Sequence, residues 1–151
     1  MNVRPLAAGD LEEVLRLEQE VYAGRDPWSR TAFEHELHAP ASLWLVTLDD
    51  TGVQAYTGGW ILAGNEFHLL NLAVAPARRR TGIARELLVQ LLARAARQGC
   101  RSATLEVRRG NEPARALYES LGFRTEGVLK GYYTAGEDAI IYLLEVLPPP
   151  S

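Results

Sequence analysis

A turn that carries a glycine and several arginines joins an apolar strand to a long amphipathic helix near the middle of the chain. Its core, Arg79-Arg80-Thr81-Gly82-Ile83-Ala84, fits the pattern Q/R-x-x-G-x-G/A. The first N–H groups of a helix have no acceptor within the helix, so they can bind a pyrophosphate. Arginine side chains at the same end add charge-assisted hydrogen bonds. We therefore predict a phosphate site formed by Arg79, Arg80, Thr81, Gly82, Ile83, Ala84 and Arg85.

The same residues would also fit an exposed basic turn that merely begins a helix. The position of the turn favours the phosphate site, because the turn follows an apolar strand directly and opens the longest predicted helix. The chain has neither a Walker lysine in this turn nor a G-x-G-x-x-G pattern, so ATP and NAD are disfavoured as the ligand.

A second block, residues 104–123, carries side chains that could act on a substrate beside the phosphate site. Glu106 shares one face of a predicted strand with Thr104, opposite the apolar face. Tyr118 lies on the apolar face of a predicted helix, with its phenol at the edge of the core. His68 lies on an earlier strand and can accept a proton near neutral pH. Each residue also has a structural interpretation: a solvent-facing glutamate, a core tyrosine and a half-buried histidine.

Composition limits the classes of function. With 151 residues, of which 47% are hydrophobic, the chain can bury a core of its own. A net charge of −3 argues against non-specific binding of nucleic acid. No cysteine and histidine cluster has zinc spacing, so we expect no metal. The first residues lack an apolar signal core, and no apolar run approaches the ~18 residues of a membrane span. We therefore expect a cytoplasmic protein without a membrane partner.

The single cysteine, Cys100, excludes an internal disulfide. It follows a glycine that ends a predicted helix, and it begins a strand. A buried structural thiol is therefore expected, rather than a nucleophile.

Hydrophobic periodicity and turn residues predict one α/β domain over residues 1–147, followed by a C-terminal tail at 148–151. The predicted order is strand, two helices, three strands, helix, strand, helix and two strands. Asp10 is predicted to cap the first helix, with Glu13 completing a capping box, and Asn111 is predicted to cap the last helix. This order predicts a mixed sheet with helices on both faces.

With both blocks in view, the chain resembles the GNAT acyltransferase superfamily over nearly its whole length. Within it, the chain most resembles the bacterial ribosomal-protein-alanine N-acetyltransferases. The motifs stand in family order: LAV before the turn, R-x-x-G-x-A in it, LEVR, N-x-x-A-x-x-L-Y-x-x-L-G-F, and finally YY…EDAIIY. The last two motifs are the specific ones. The resemblance implies the GNAT fold, a mixed, mostly antiparallel seven-stranded sheet flanked by four helices, with a splay between strands 4 and 5.

The resemblance also implies where acetyl-CoA would bind. The pantetheine arm would lie in the splay and pair with the backbone of Leu72, Ala73 and Val74. The phosphates would contact the turn as far as Arg85, and Asn111 would touch the coenzyme.

Family pattern offers Glu106 as the general base and Tyr118 as the general acid. His68 takes the position at which histone-type lysine acetyltransferases carry a glutamate, so it is the alternative base.

For the acceptor, the resemblance points to two loops. Tyr132 and Tyr133 precede the last strand, and related N-terminal acetyltransferases use such tyrosines to hold the first residues of a peptide. The segment from Tyr22 to Trp28 would form the opposite wall. The loop after Tyr133, residues 134–136, looks shorter than the same loop in the best-known members of the family.

The implied reaction is direct transfer of an acetyl group from acetyl-CoA to the N-terminal amine of a protein, with an alanine-starting ribosomal protein as the expected acceptor. An α-amine, with a pKa of ~7.8, is partly neutral at physiological pH, whereas a lysine amine, with a pKa of ~10.4, is almost wholly charged. An α-amine therefore needs less help from a general base to become neutral. Two alternatives stay open: a GNAT enzyme for lysine side chains or small-molecule amines, and a catalytically silent acyl-CoA-binding sensor. We expect a monomer or a weak dimer.

Overall fold

The structure is a computed structural model that describes residues 2–147. The predicted tail at 148–151 lies outside the described residues. The elements in chain order are β1 (Asn2–Pro5), α1 (Leu11–Tyr22), α2 (Arg30–His38), β2 (Ser42–Asp49), β3 (Gly52–Leu62), β4 (Glu66–Val74), α3 (Ile83–Arg97), β5 (Ser102–Arg108), α4 (Glu112–Ser120), β6 (Arg124–Leu129) and β7 (Ala139–Leu144). This is the predicted order of strands and helices.

The strands form one seven-stranded sheet in the order β1-β2-β3-β4-β5-β7-β6. Only β4 and β5 run parallel, and the other neighbouring pairs are antiparallel. The predicted mixed, mostly antiparallel sheet with four helices is therefore confirmed.

The splay between β4 and β5 is also confirmed. The two strands pair only over residues 66–68 and 102–104, and beyond those pairs they part. On its other edge β4 has a register shift opposite Gly58 and Gly59, which leaves one residue of β4 unpaired. A bulge of this kind bends a strand. Side chains would not fit at the two glycines, because a Cβ would lie 1.9 Å from the Trp44 ring at Gly58 and 2.1 Å from the His68 carbonyl at Gly59.

Helices cover both faces of the sheet, as predicted. Along β2 the buried side chains alternate, so that Leu45 joins the core beneath α3 while Trp44 and Val46 join the core beneath α1 and α2. This is the period-two alternation of a strand with both faces covered. Burying each large apolar side chain contributes roughly 1.5–3 kcal/mol, so both layers hold β4 and β5 firmly at the splay.

Asp10 occupies the N-cap position of α1, as predicted, but the predicted cap hydrogen bond is absent. Its carboxylate accepts hydrogen bonds from both terminal guanidinium nitrogens of Arg4 at 2.7 Å and from the backbone N–H of Ala7 at 2.8 Å. It makes no cap hydrogen bond to α1. A two-pronged, charge-assisted pair outcompetes a single cap bond. Glu13 accepts instead from the Val53 N–H at 3.2 Å. The predicted cap at Asn111 is confirmed, since its side-chain oxygen accepts from the Ala114 N–H at 3.3 Å.

Cys100 lies just before β5 and is 4% exposed. Burial raises the pKa of its thiol. Within residues 2–147, no helix is both long enough and apolar enough to cross a membrane.

Candidate active site

A cleft opens where β4 and β5 part. Helix α1 and the loop after it form one wall, the two strands form the floor, and α4 with the β6–β7 loop forms the other wall. The predicted site residues that line the cleft are Leu72, Glu106, Asn111, Tyr118, Tyr22, Trp28 and Tyr133. The structure thus brings together side chains that are widely separated in the sequence.

The two candidates for the base, Glu106 and His68, are in direct contact with each other. Glu106 lines the cleft, and its Oε2 lies 3.1 Å from Nε2 of His68. The other ring nitrogen, Nδ1, lies 2.9 Å from Oγ1 of Thr104, which is 3.2 Å from Oε2 of Glu66. The hydrogen bond to Glu106 raises the pKa of His68, burial opposes that rise, and the charges of Glu106 and Glu66 add to it.

Tyr118 is buried, and its ring packs against Phe123 and Tyr142. Burial raises the pKa of the phenol, so it keeps its proton. Within the described chain, the hydroxyl has no protein hydrogen-bond partner, although every buried polar side-chain atom there has one. The oxygen of Tyr118 is therefore open to the cleft that its side chain lines.

The predicted phosphate turn begins α3 with free backbone donors. Gly82 has a left-handed backbone, with φ of 81°, and Arg80 has φ of 64°. The first helical hydrogen bond runs from the Glu86 N–H to the Gly82 carbonyl at 3.1 Å, which leaves the N–H groups of residues 83–85 without acceptors among residues 2–147. No atom lies within 4 Å of a Cβ built at Gly82, so the turn is open to a ligand. These features fit a pyrophosphate.

The arginines around this turn differ in their partners. Arg78 is held by Asp49 at the end of β2 and by Gln54 near the start of β3, and Arg85 donates to Oγ of Ser120 at 2.6 Å. Arg79 and Arg80 are exposed and are in no described ion pair. Two guanidinium groups are thus free to meet an anion at the turn.

Two residues of β4 present their backbone to the splay. The Ala75 N–H donates to the Gln54 carbonyl at 2.8 Å, and Val74 is the register partner of Ala55. In an antiparallel ladder this pattern turns the N–H and C=O of Val74, and of Leu72 two residues earlier, away from β3. The Leu72 carbonyl already accepts a hydrogen bond from the Tyr22 hydroxyl. Ala73 alternates with them, and its side chain is buried beneath α1 and α2.

The predicted acceptor residues are only partly brought together. Tyr22 and Tyr133 line the cleft from opposite walls. Trp28 also lines it, but its ring packs in the core against Phe33 and Trp44, with centroids 5.2 and 5.4 Å away. Tyr132 is 53% exposed and stands edge-on to Tyr133 outside the cleft lining.

Sequence reasoning missed Glu18, a fully buried carboxylate in the cleft wall. It accepts hydrogen bonds from the Tyr56 hydroxyl, from Nδ2 of Asn71 at 2.9 Å and from the Trp28 N–H at 2.8 Å. It therefore ties α1 to β3, β4 and the loop after α1. The available signal was its helical spacing from Val14, which puts a charged residue on the apolar face of α1.

Sequence reasoning also missed Arg108, which links the two loops over the cleft. Its guanidinium donates to the Arg25 carbonyl and to Asp26 at 3.1 Å each, lies 3.4 Å from Glu137, and stacks 4.0 Å from the Tyr133 ring centroid. Asp26 also accepts from the Thr134 hydroxyl. We call Arg108, Asp26, Thr134 and Glu137 the loop bridge. Burial raises the pKa of Tyr133 to about 12.

The family model described as the Acetyltransferase (GNAT) family matches residues 11–123. The chain belongs to the GNAT acetyltransferase family. Acetyl-CoA is the acetyl donor of this family, and the open turn at Gly82 together with the free backbone edge of β4 fits its phosphates and its pantetheine arm.

The sequence similarity to curated relatives extends over nearly the whole chain. A putative [ribosomal protein bS18]-alanine N-acetyltransferase from Bacillus subtilis is 32% identical, with 92% of this chain and 91% of the relative covered. The N-alpha-acetyltransferase RimI of Mycobacterium tuberculosis is 34% identical, with 92% and 89% covered. The crystal structure of the ribosomal-protein-S18-alanine N-acetyltransferase from Escherichia coli superposes with a TM-score of 0.87 at 33% identity, over 97% of this chain and 94% of that one.

Proposed function

We propose that this enzyme transfers the acetyl group of acetyl-CoA directly to the N-terminal amine of a protein, and that its acceptor is the alanine terminus of a ribosomal protein. The relatives named for that acceptor support the proposal. The observation that carries it is that Glu106 and Tyr118 line one cleft that is open at the splay. A ribosomal acceptor puts the reaction in the cytoplasm.

The coenzyme would extend from the turn into the cleft. The free N–H groups at the start of α3, with Arg79, Arg80 and Gly82, would hold the pyrophosphate. The backbone of Leu72 and the carbonyl of Val74 would pair with the amides of the pantetheine arm. Since Tyr22 already donates to the Leu72 carbonyl, coenzyme binding would share or displace that hydrogen bond. Asn111 stands at the cleft and would meet the coenzyme from α4.

Glu106 would take the proton that the acceptor nitrogen loses as it attacks the thioester. A neutral α-amine is abundant enough at physiological pH that the base need only remove this one proton. A carboxylate that acts directly or through one water suffices. The N–H of Val74 faces the splay and would donate to the thioester oxygen as negative charge develops there.

Tyr118 would stabilise the departing sulfur. Its phenol keeps its proton because burial raises its pKa, so complete proton transfer to a thiolate is uphill. A hydrogen bond to the sulfur needs no such transfer. We therefore assign Tyr118 as the donor to the leaving group.

The acceptor peptide would enter between the two walls. Tyr22 and Tyr133 flank the cleft beside Glu106, and Tyr132 and Trp28 would support the two loops from outside and from the core. An extended N-terminus fits between loops that the loop bridge holds at a fixed separation.

The direct test uses a short peptide that begins with alanine. Release of free CoA thiol is expected with this peptide, and none with its N-formyl version, whose nitrogen cannot attack. A peptide with a blocked terminus and a free lysine is the matched control for side-chain acetylation. Tight binding of acetyl-CoA with no thiol release from any amine would instead identify a sensor and overturn the proposal.

The natural acceptor can be identified in cells. Intact masses of ribosomal proteins are compared between cells with and without the gene, and one protein is expected to lose about 42 Da, the mass of an acetyl group. Unchanged masses across the whole ribosome would contradict the ribosomal acceptor while leaving the peptide reaction intact.

A further inference from the structure

His68 lies behind Glu106 and does not line the cleft. Both of its ring nitrogens have partners, since Nε2 is 3.1 Å from Oε2 of Glu106 and Nδ1 is 2.9 Å from Oγ1 of Thr104. No lone pair of the ring therefore faces an amine in the cleft.

The contact with Glu106 requires a hydrogen on Nε2. A nitrogen lone pair turned toward a carboxylate oxygen 3.1 Å away would be repelled, so the ring nitrogen is expected to carry a hydrogen there. The Thr104 hydroxyl suits both charge states of the ring: it can donate to Nδ1 of the neutral ring, or accept from Nδ1–H of the charged ring while it donates to Glu66. The proton that His68 gains or loses thus sits on Nδ1, beside Thr104.

We propose that His68 positions Glu106 by donating from Nε2 to Oε2, so that Oε1 is the oxygen that serves as the base. This inference rests on the proposed function. As the nitrogen–carbon bond forms, one proton passes from the amine nitrogen to Oε1 of Glu106, directly or through one water. The carbon–sulfur bond breaks and its electron pair leaves on sulfur, which then takes up a proton. Glu106 returns its own proton to solvent, and His68 keeps its Nε2 hydrogen throughout.

The charge on His68 would set the strength of this base. The charged groups that face the ring are Glu106 from β5 and Glu66 from β4, while its register partner on β3 is the uncharged Trp60. A positive charge on a ring 3.1 Å from Oε2 repels the proton that Glu106 would accept, so a charged His68 slows that proton transfer. Because the hydrogen bond to Glu106 raises the pKa of His68, the ring becomes charged at a higher pH than an ordinary histidine as the solution is acidified.

Two substitutions separate positioning from packing. His68→Gln keeps an N–H donor that does not titrate, whereas His68→Leu removes the donor and keeps bulk. We expect His68→Leu to lower kcat about tenfold, which is part of the rate enhancement that a positioned general base contributes. In His68→Gln, kcat should stay within about threefold of the natural enzyme's value at a pH of about 8.5. The exposed His35, on α2, supplies the matched control, and His35→Leu should change neither kcat nor KM.

The pH profile gives the sharper signature. On the acid side, log kcat/KM for the alanine peptide should fall with a slope between about 1 and 2 in the natural enzyme, because the amine must lose a proton and a charged His68 slows the proton transfer that remains. The slope should be about 1 in His68→Gln, where only the amine titrates. Equal kcat losses in the Gln and Leu variants, with an unchanged slope, would reduce His68 to a packing residue and overturn the inference.

A second measurement does not depend on turnover. Nitrogen-15 NMR of the His68 ring should show the Nε2–H form of the neutral ring, and a pKa that falls in Glu106→Gln. A neutral ring protonated on Nδ1, or an unchanged pKa in Glu106→Gln, would contradict the inference. Absence of thiol release from every peptide by the natural enzyme would overturn the proposed function instead, while the NMR result would still decide how His68 and Glu106 interact.

Discussion

The phenol of Tyr118 keeps its proton because its ring is buried between Phe123 and Tyr142 while its oxygen opens to the cleft. A protonated phenol can donate a hydrogen bond to a sulfur that is gaining charge. In the proposed reaction Glu106, which also lines the cleft, would accept the proton of the amine. The two side chains would then divide the work of one reaction, although they lie on different elements.

Tyr118→Phe is expected to lower kcat about tenfold to a hundredfold, because it deletes the donor to the sulfur and leaves the ring in place. Affinity for acetyl-CoA, measured by calorimetry, should change little. Tyr142→Phe is the matched control: that tyrosine is also buried, but its hydroxyl bonds Arg115 and Glu119 instead of facing the cleft, so its turnover should be retained. Undiminished turnover in Tyr118→Phe would remove Tyr118 from the mechanism.

At the level of elements, the start of α3 combines an open turn with backbone N–H groups that have no acceptor among the described residues. Gly82 holds a left-handed backbone that ends the turn and aims three free N–H groups outward. Such a backbone costs any residue with a Cβ on the order of 1 kcal/mol. The glycine is therefore needed for its backbone, since the space around it is open.

Gly82→Ala should destabilise the protein by about 1 kcal/mol and raise KM for acetyl-CoA about tenfold, as the N–H groups turn away from the pyrophosphate. Gly64→Ala, in the β3–β4 turn, is a close control, because its φ of 82° also lies in the left-handed region and no atom lies within 4 Å of its built Cβ. It should lose similar stability in thermal unfolding and leave KM unchanged. An unchanged KM in Gly82→Ala would argue against a phosphate site here.

Local signals explain why the elements could be predicted from the sequence. The cap at Asn111 and the apolar periodicity of α3 each depend on a few neighbouring residues, and both are present in the structure. Asp10 shows where such signals fail, because Arg4 from β1 claims its carboxylate. A cap pattern cannot reveal a competing partner that reaches it only through the fold.

At the scale of the whole molecule, the loop bridge joins segments that are far apart in the chain. Asp26 and Thr134 are separated by 108 positions, yet the Thr134 hydroxyl and then Arg108 lower the pKa of the Asp26 carboxylate. The bridge ties the α1–α2 loop to the β6–β7 loop, and in the proposed function it would set the width of the acceptor entrance.

Asp26→Ala is expected to raise KM for the alanine peptide about threefold to tenfold, because the two loops lose their shared anchor, while kcat and KM for acetyl-CoA stay nearly the same. Steady-state kinetics with each substrate varied in turn measure the split. Glu145→Ala, which breaks a different exposed ion pair with Arg124, should leave all three constants unchanged. A fall in kcat alone would place Asp26 in the chemistry rather than at the entrance.

Long-range partners also explain what the sequence could not predict about the site. Motifs predict Glu106 and Tyr118 as site residues, but nothing local indicates that His68 contacts Glu106, or that the Trp28 ring packs in the core. Glu18 was equally hidden, because its three donors come from separate parts of the chain. Such contacts exist only once the sheet has assembled.

The burial of Cys100 has a practical and a physiological consequence. Colorimetric reagents that react with sulfhydryls will report the liberated coenzyme without a contribution from the folded enzyme, and alkylating agents should spare its activity. Under oxidative stress, free CoA cannot form a mixed disulfide with the enzyme that releases it, because Cys100 is the single cysteine and is buried.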